Sequence, residues 1–272
     1  VVGDGDELLE GLGAPVVQVR RGVGQAQQAR GVDRVESEHR VALAVRVGGR
    51  GVAGDAAGAG EGIYWKYEST LKKWDSELNT AMGAAGELFS IRTELYHHVP
   101  SNTVIEDFVM TMEIAQKGYK IVYEPNAFAS EGQSASVKEE LKRKIRIAAG
   151  GFQAIARLAP LLNPFKYGTL SFQYISHRVL RWTLAPLALP ILLITNILLA
   201  MQGSEFFKWV LFAQIAFYIF ALLGWILENQ KLKIKAFFIP YYFFIMNYAV
   251  YRGFMRNLSG SQSTLWERAK RA

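Results

Sequence analysis

The stretch SNTVIEDFVMTMEIAQKGYKIVYEP, residues 101–125, decides the fold because it reads as a helix followed directly by a buried strand. Thr103 and Glu106 have the spacing of a capping box, and the apolar residues that follow recur at the helical period. Gly118 then predicts the end of the helix, and residues 119–123 predict the strand. The stretch therefore indicates a folded α/β unit.

The residues before this stretch extend the α/β pattern upstream. Residues 62–78 predict an amphipathic helix, because apolar side chains recur there at helical spacing: Tyr64, Tyr67, Leu71 and Trp74. GAAGELFSIR, residues 83–92, predicts a turn of small residues that leads into a short strand with Phe89 and Ile91 on one face. The glycines of this turn would let the backbone approach a ligand closely, although tight packing explains them equally well.

Two neighbouring carboxylates fall in the first turn of the helix predicted within residues 101–125. They are Glu106 and Asp107, and the helix dipole favours the ionised form of a carboxylate at that position. A carboxylate fixed there can accept a proton from a substrate hydroxyl. Acidic residues in a first turn also occur as ordinary capping groups, so spacing alone leaves both roles open.

A basic helix is predicted downstream by KEELKRKIRIAAGGFQAIARL, residues 138–158. Arg143 and Arg146 are three residues apart and share one face, where two guanidinium groups could clamp a diphosphate. A basic helix that rests on anionic lipid accounts for the same charges. No metal site is predicted from the histidines, because none has the spacing of a ligand set: His97, His98 and His177.

The last third of the chain alternates long uncharged stretches with short charged connections. We predict transmembrane helices at about residues 183–201 and 209–227, since each approaches the length that crosses about 30 Å of hydrocarbon. Residues 236–251 form a shorter uncharged stretch with Pro240 inside it, which could span, re-enter or lie shallow. Residues 165–182 mix aromatic and basic side chains, which is typical of a helix in the membrane interface.

The basic residues predict the orientation of these helices. The connection at residues 228–235 contains three lysines, whereas the one at residues 202–205 contains neither Lys nor Arg. The positive-inside rule therefore places residues 228–235, and everything before Arg181, in the cytoplasm. The net charge of +7 fits contact with anionic lipid or with a phosphorylated substrate. The absence of cysteine excludes disulfides and thiolate metal sites.

The first segment differs from the rest of the chain. Residues 1–62 contain no Ile, Lys, Phe, Tyr, Trp, Asn, Thr or Met, all of which are common further on. We predict that residues 1–53 are a translation of the wrong frame or strand; a natural disordered extension is the alternative. Asp4-Gly5-Asp6 matches the D-x-D metal-binding pattern, but two aspartates in acidic, glycine-rich sequence are a weak signal.

Together these features resemble the membrane-bound family 2 glycosyltransferases, which include the synthases of cellulose, hyaluronan, chitin oligosaccharides and poly-N-acetylglucosamine. The resemblance covers about residues 54–272 and rests on the order of GAAGELFSIR, Ile105-Glu106-Asp107, GYKIVYEP, Arg143-x-x-Arg146 with Gly150-Gly151, and the apolar helices. It implies an α/β fold in which residues 54–164 are the C-terminal half of a GT-A-type, Rossmann-like domain. An interfacial helix at 165–182 and an α-helical transmembrane region at 183–272 follow.

The resemblance also implies roles for individual residues. Asp107 matches the general base that deprotonates the acceptor hydroxyl, with Glu106 beside it. The family's Q-x-x-R-W motif, which helps to bind the donor diphosphate and the acceptor sugar, corresponds to Arg143 through Ile147; Arg146 is kept, whereas Gln is replaced by Arg143 and Trp by Ile147. Further substrate-binding residues implied by the motifs are Gly83, Gly86 and Glu87.

The activity implied by the resemblance is inverting transfer of a sugar from a nucleotide sugar, expected to be a UDP-sugar, to a growing polysaccharide or a lipid-linked acceptor. The expected location is the cytoplasmic face of the bacterial inner (plasma) membrane, with no nucleic-acid partner. The full-length enzyme is expected to use a divalent cation, Mg²⁺ or Mn²⁺. Because no credible cation-binding or uridine-binding motif precedes Gly62, the chain as given is expected to be inactive. The alternative is a non-catalytic membrane anchor or transport component whose basic part binds lipid or a partner.

Overall fold

The structure is a computed structural model that describes residues 16–19, 40–49, 56–84, 86, 89–131, 137–229 and 235–263. The chain divides into two compact units, which are described separately. The first unit comprises Val1–Arg50, Trp65–Gly132 and Ala154–Ile175, and the second comprises Gly51–Tyr64, Gln133–Gln153 and Ser176–Ala272.

The strands described in the first unit form one mixed sheet. They are β1 Val16–Val19, β2 Arg40–Gly49, β3 Phe89–Arg92 and β4 Lys120–Glu131, in the spatial order β1-β3-β2-β4. β3 is antiparallel to both of its neighbours, whereas β2 and β4 are parallel. The predicted α/β character is therefore present. The Rossmann-like arrangement is not evident, because the described residues are mostly helical and this sheet contains one parallel strand pair.

The helix and strand predicted for residues 101–125 are both present. Helix α2 spans Glu106–Gln116 and buries most of its side chains, and β4 begins at Lys120. Gly118 has a φ of +91° and its N–H donates to the carbonyl of Ala115 at 3.0 Å, so it ends the helix as expected. α2 is thus fixed in the interior of the first unit.

The capping box predicted for α2 is wrong. The N-cap position is occupied by Ile105, whose hydrocarbon side chain cannot accept a hydrogen bond from the first-turn amides. The hydroxyl of Thr103 instead donates to the carbonyl of Pro100 at 2.6 Å. The turn over residues 100–103 satisfies Thr103 locally, and the helix starts only at Glu106.

The predicted amphipathic helix is present as α1, Ala56–Leu78, but its buried face is the polar one. Tyr67 and Trp74 are 57% and 59% exposed. The buried side chains are charged: Glu68, Lys72 and Asp75. Burial of Asp75 is compensated because Gln173 Nε2 donates to its carbonyl and its carboxylate at 2.9 and 3.0 Å. In β3, Phe89 and Ile91 share the buried face as predicted.

The second unit contains the apolar helices. α7 spans Leu184–Met201 and α8 spans Glu205–Asn229, in agreement with the predicted helices at 183–201 and 209–227. By length and composition, α7 and residues Glu205–Glu228 are able to cross a membrane. Core helices of soluble proteins pass the same test but are mostly buried, whereas only 17% and 11% of these two windows are buried.

The third apolar segment forms α9, Lys235–Leu258, which packs along helix α3, Val137–Arg157. Phe238, Tyr241 and Ile245 form a buried cluster with Val137. Further along the pair, a Cβ on Gly253 would lie 2.5 Å from Ala148 Cβ, and the rings of Phe152 and Phe254 are 5.0 Å apart. α9 also approaches α8 closely, since a Cβ on Gly224 would lie 2.3 Å from the Phe237 carbonyl oxygen.

The helix predicted at residues 165–182 is present in two parts, because Gly168 separates Pro164–Tyr167 from a continuous helical run over residues 169–182. Three short helices and a π-helical turn occupy this part of the chain: α4 Pro164–Tyr167, α5 Thr169–Tyr174, the π turn Ile175–Val179 and α6 Leu180–Trp182. Gly168, with a φ of +52°, interrupts the first two. Its placement in a membrane interface stays a prediction.

The strands β1 and β2 lie in the segment that was predicted to be non-native or disordered, residues 1–53. Asp4-Gly5-Asp6 lies outside the described residues. The origin of this segment and the predicted domain boundary at residue 54 stay predictions.

Candidate active site

The candidate general base, Asp107, lies in the first turn of α2 and is partly buried. The glycine-containing turn that precedes β3 runs past its carboxylate. A Cβ built on Gly86 would lie 3.0 Å from Asp107 Oδ2 and 3.4 Å from its Cγ. The structure thus brings together two residues that the sequence named separately, and a side chain at residue 86 would crowd the carboxylate.

Gly83 is fixed by both its backbone conformation and its surroundings. Its φ is +88°, and a Cβ there would lie 2.3 Å from Cδ2 of Phe108. Phe108, the residue after Asp107, is buried, and its ring stacks on that of Tyr174 with 6.4 Å between centroids. Burial raises the pKa of Tyr174 well above its ordinary value, so the phenol stays neutral. Gly83 therefore lets the backbone pack closely against Phe108, and its predicted contact with a substrate stays a prediction.

Thr111 links the same turn to α2, and sequence reasoning missed it. The N–H of Ala84 donates to Thr111 Oγ1 at 3.3 Å, and this hydroxyl donates to the carbonyl of Asp107 at 2.7 Å. A hydroxyl has one hydrogen and two lone pairs, so it makes both bonds at once. The signal in the sequence was a threonine four residues after Asp107, the spacing at which a helical hydroxyl reaches back to a carbonyl.

Two other predicted residues add little to this geometry. Glu106 is the first residue of α2 and is partly buried, and its role stays a prediction. Glu87 lies outside the described residues.

Arg143 and Arg146 lie in the second unit on α3, and both have protein partners there. Arg143 donates two hydrogen bonds to the Glu140 carboxylate, from Nε at 3.0 Å and from Nη2 at 3.1 Å. Lys144 Nζ lies 3.4 Å from the same carboxylate. Arg146 Nη1 donates to the carbonyl of Ser263 at 3.2 Å. These contacts fix the direction of both guanidinium groups, and their binding to a diphosphate stays a prediction.

The residues that the structure describes do not offer a ligand set for a divalent cation. They contain no group of three or more His, Cys, Asp or Glu side chains that could hold a metal ion. His97 is engaged otherwise, with Nε2 2.5 Å from Glu113 Oε2 and Nδ1 3.1 Å from the carbonyl of Leu95.

The family model described as "Glycosyl transferase family group 2" matches residues 58–228, more than half of the chain. A comparison with curated proteins found no match. Among 25 similar chains of solved structures is "Mannosyltransferase PcManGT from Pyrobaculum calidifontis in complex with GDP-Man and Mn2+". It shares 17% identity and a TM-score of 0.53 over 82% of this chain, which spans 55% of that mannosyltransferase.

Proposed function

The chain belongs to glycosyl transferase family group 2, and from this premise we propose that Asp107 is the general base of an inverting sugar transfer. The Asp107 carboxylate takes the proton of an acceptor hydroxyl while the hydroxyl oxygen bonds to C1 of the donor sugar. The bond from C1 to the diphosphate oxygen breaks, and the nucleoside diphosphate leaves with its electron pair. The configuration at C1 inverts because the hydroxyl oxygen attacks C1 from the side opposite the leaving diphosphate.

The observation that carries this proposal is the position of Asp107 beside Gly86. A base must come within hydrogen-bonding distance of the proton that it removes. Gly86 has no side chain, and a Cβ there would lie 3.0 Å from Asp107 Oδ2, so any larger residue at position 86 would crowd the carboxylate that must reach the acceptor hydroxyl. Thr111 supports this arrangement by bonding both to the turn and to the backbone of Asp107.

We further propose that residues 54–164 belong to a GT-A-type domain and that Arg143 and Arg146 bind the donor diphosphate. Glu140 occupies the edge of Arg143 formed by Nε and Nη2, so the other edge of the guanidinium group, with Nη1, would contact the diphosphate. The proposed donor is a UDP-sugar, and the acceptor a growing polysaccharide or a lipid-linked sugar, as in the cellulose, hyaluronan and chitin synthases. The similar mannosyltransferase carries GDP-Man, so both nucleotide classes belong in the test.

The proposed reaction is tested with the full-length protein in membrane vesicles and a panel of labelled UDP-sugars and GDP-mannose. At least one donor is expected to pass its label to an acceptor. A divalent cation bound by the full-length protein would neutralise the leaving diphosphate, so EDTA is expected to lower this transfer at least about tenfold and Mn²⁺ or Mg²⁺ to restore it. Matched vesicles without the protein give the background. Absence of transfer from every donor would contradict the proposal and favour a non-catalytic membrane anchor.

The membrane location is the second part of the proposal. We propose that α7 and α8 cross the bacterial inner membrane and that α9, which also packs against α8, does not cross it completely. α9 buries one face against α3, which carries seven charged residues between Lys138 and Arg146. A helix packed lengthwise against such a neighbour cannot cross hydrocarbon without drawing those charges in, at a cost of about 2.5–3.5 kcal/mol or more for each.

Cysteine labelling tests this topology, because the chain has no cysteine of its own. In Gln202→Cys the thiol is expected to react with a membrane-impermeant maleimide in intact cells. In Ser261→Cys and Lys138→Cys it is expected to react only after permeabilisation. Labelling of Ser261→Cys in intact cells would show that α9 crosses the membrane.

A further inference from the structure

We infer that Arg157 is a positioning residue for the proposed base: it holds residues 102–103, so that α2 begins at a fixed place and presents Asp107. This inference rests on the proposed function. Arg157 lies at the end of α3, in the part of that helix that belongs to the first unit, together with Thr103 and α2. In the sequence, Arg157 is only one of several basic residues on the predicted helix at residues 138–158.

The contacts of Arg157 are directional. Its Nη1 donates to Thr103 Oγ1 and its Nη2 donates to Asn102 Oδ1. The single hydrogen of the Thr103 hydroxyl already points to the carbonyl of Pro100 at 2.6 Å, so a lone pair faces the guanidinium. Thr103 is only 4% exposed, and water therefore competes weakly for the bond between Arg157 and Thr103.

The bonds of Arg157 matter for Asp107 because α2 has no side-chain cap from its own N-cap residue. Ile105 occupies that position, so the start of the helix depends on how the preceding residues are held. The rest of α2 is tightly buried and cannot shift to compensate. Loosening residues 102–103 would fray the first turn, which contains Glu106 and Asp107. A displacement of a reacting group by about 1 Å can cost about 10²-fold in rate.

The chemistry of arginine suits this role. Its planar fork donates to two acceptors on adjacent residues at once, whereas the ammonium of lysine is a point charge without that geometry. A cation is also favoured at the C-terminal end of α3 by the helix dipole. Arg157→Lys is therefore expected to keep part of the effect and Arg157→Gln to lose it.

The test compares wild type, Arg157→Gln, Arg157→Lys, Thr103→Val and the Arg157→Gln/Thr103→Val double variant in the full-length protein. We expect Arg157→Gln to lower kcat about 10- to 100-fold while the donor KM stays within about threefold, since the donor is not contacted. Arg157→Lys should be intermediate. The double variant should lose less than the sum of the two single variants, because both changes remove the bond between Arg157 and Thr103, while each also removes a second bond, to Asn102 or to Pro100.

A second readout does not depend on activity. Hydrogen exchange at the amides of residues 106–109 should be faster in Arg157→Gln and in Thr103→Val than in wild type. Lys73→Gln is the matched control, because Lys73 is exposed in the same unit and pairs only loosely, at 3.8 Å, with Glu77. It should leave both readouts unchanged.

These two measurements distinguish failure of the positioning role of Arg157 from failure of the proposed sugar transfer. Wild-type kcat or wild-type exchange in Arg157→Gln, or additive effects in the double variant, would overturn the positioning role. Where Arg157→Gln fails to fold, Thr103→Val carries the same test with the guanidinium intact. If the wild-type protein transfers no sugar, the proposed function is wrong. The hydrogen-exchange experiment still decides whether Arg157 holds the first turn of α2.

Discussion

Replacing Asp107 by asparagine is expected to lower the kcat of sugar transfer by about 10²- to 10⁴-fold, the range that a general base contributes. The amide has nearly the size of the carboxylate and leaves the bond from Thr111 to the Asp107 backbone carbonyl in place. It cannot accept the proton of the acceptor hydroxyl. The measurement is transfer of labelled sugar by the full-length protein in membrane vesicles, at saturating donor and acceptor.

The neighbouring acidic residues make this test specific. Glu106→Gln is expected to reduce kcat less than Asp107→Asn, because the proposed base is Asp107. Glu94→Gln serves as the control: Glu94 is exposed on the turn after β3 and lies 4.0 Å from Arg92. A wild-type rate in Asp107→Asn, with an unchanged melting temperature, would exclude Asp107 as the base. A loss confined to Glu106→Gln would move the role to that residue.

The elements around Asp107 were predictable because their signals are local. Helical periodicity and Gly118 determine where α2 ends and β4 begins, and alternation places Phe89 and Ile91 on one face of β3. The start of α2 was not predictable in the same way. Thr103 has the spacing of a cap, but its hydroxyl bonds to Pro100 and to Arg157, and the second of these partners is 54 residues away.

The buried face of α1 was also not predictable from local sequence. Periodicity correctly predicted a helix, but it assigned the interior to the aromatic residues. The structure buries Asp75, whose partner Gln173 is separated from it by 98 residues. A buried charge is tolerated only where such a partner exists, and no local pattern reveals it. The break at Gly168, in contrast, carried a local signal, because glycine readily adopts a positive φ.

The candidate site was predictable in its residues but not in its contacts. Motif order selected Gly83, Gly86 and Asp107, and the structure places these glycines against Asp107 and Phe108. Thr111 could not be selected from motif order, because its role depends on an amide of a distant turn, that of Ala84. α2 and the turn that contains Gly83 thus pack as one unit. A substitution in this turn should therefore displace the Asp107 carboxylate.

Replacing Gly83 by alanine is the sharpest test of that packed arrangement. The methyl group would lie 2.3 Å from Cδ2 of Phe108, a buried ring that stacks on Tyr174 and has little room to move. The φ of +88° adds strain of about 1–2 kcal/mol for an L-residue, and overpacking adds about 1–3 kcal/mol. We therefore expect the free energy of unfolding, measured by urea denaturation, to fall by about 2–5 kcal/mol.

Gly118→Ala separates the backbone strain of a positive φ from the steric overlap with Phe108. Gly118 has a nearly identical φ of +91°, but nothing lies within 4 Å of the position that its Cβ would take. This variant should therefore lose only the strain, about 1–2 kcal/mol, and keep the kcat of wild type. Gly83→Ala should lose more stability and also lower kcat, because displacing Phe108 moves the adjacent Asp107. Equal losses of stability in the two variants would show that Phe108 yields freely, and the turn would then not fix the base.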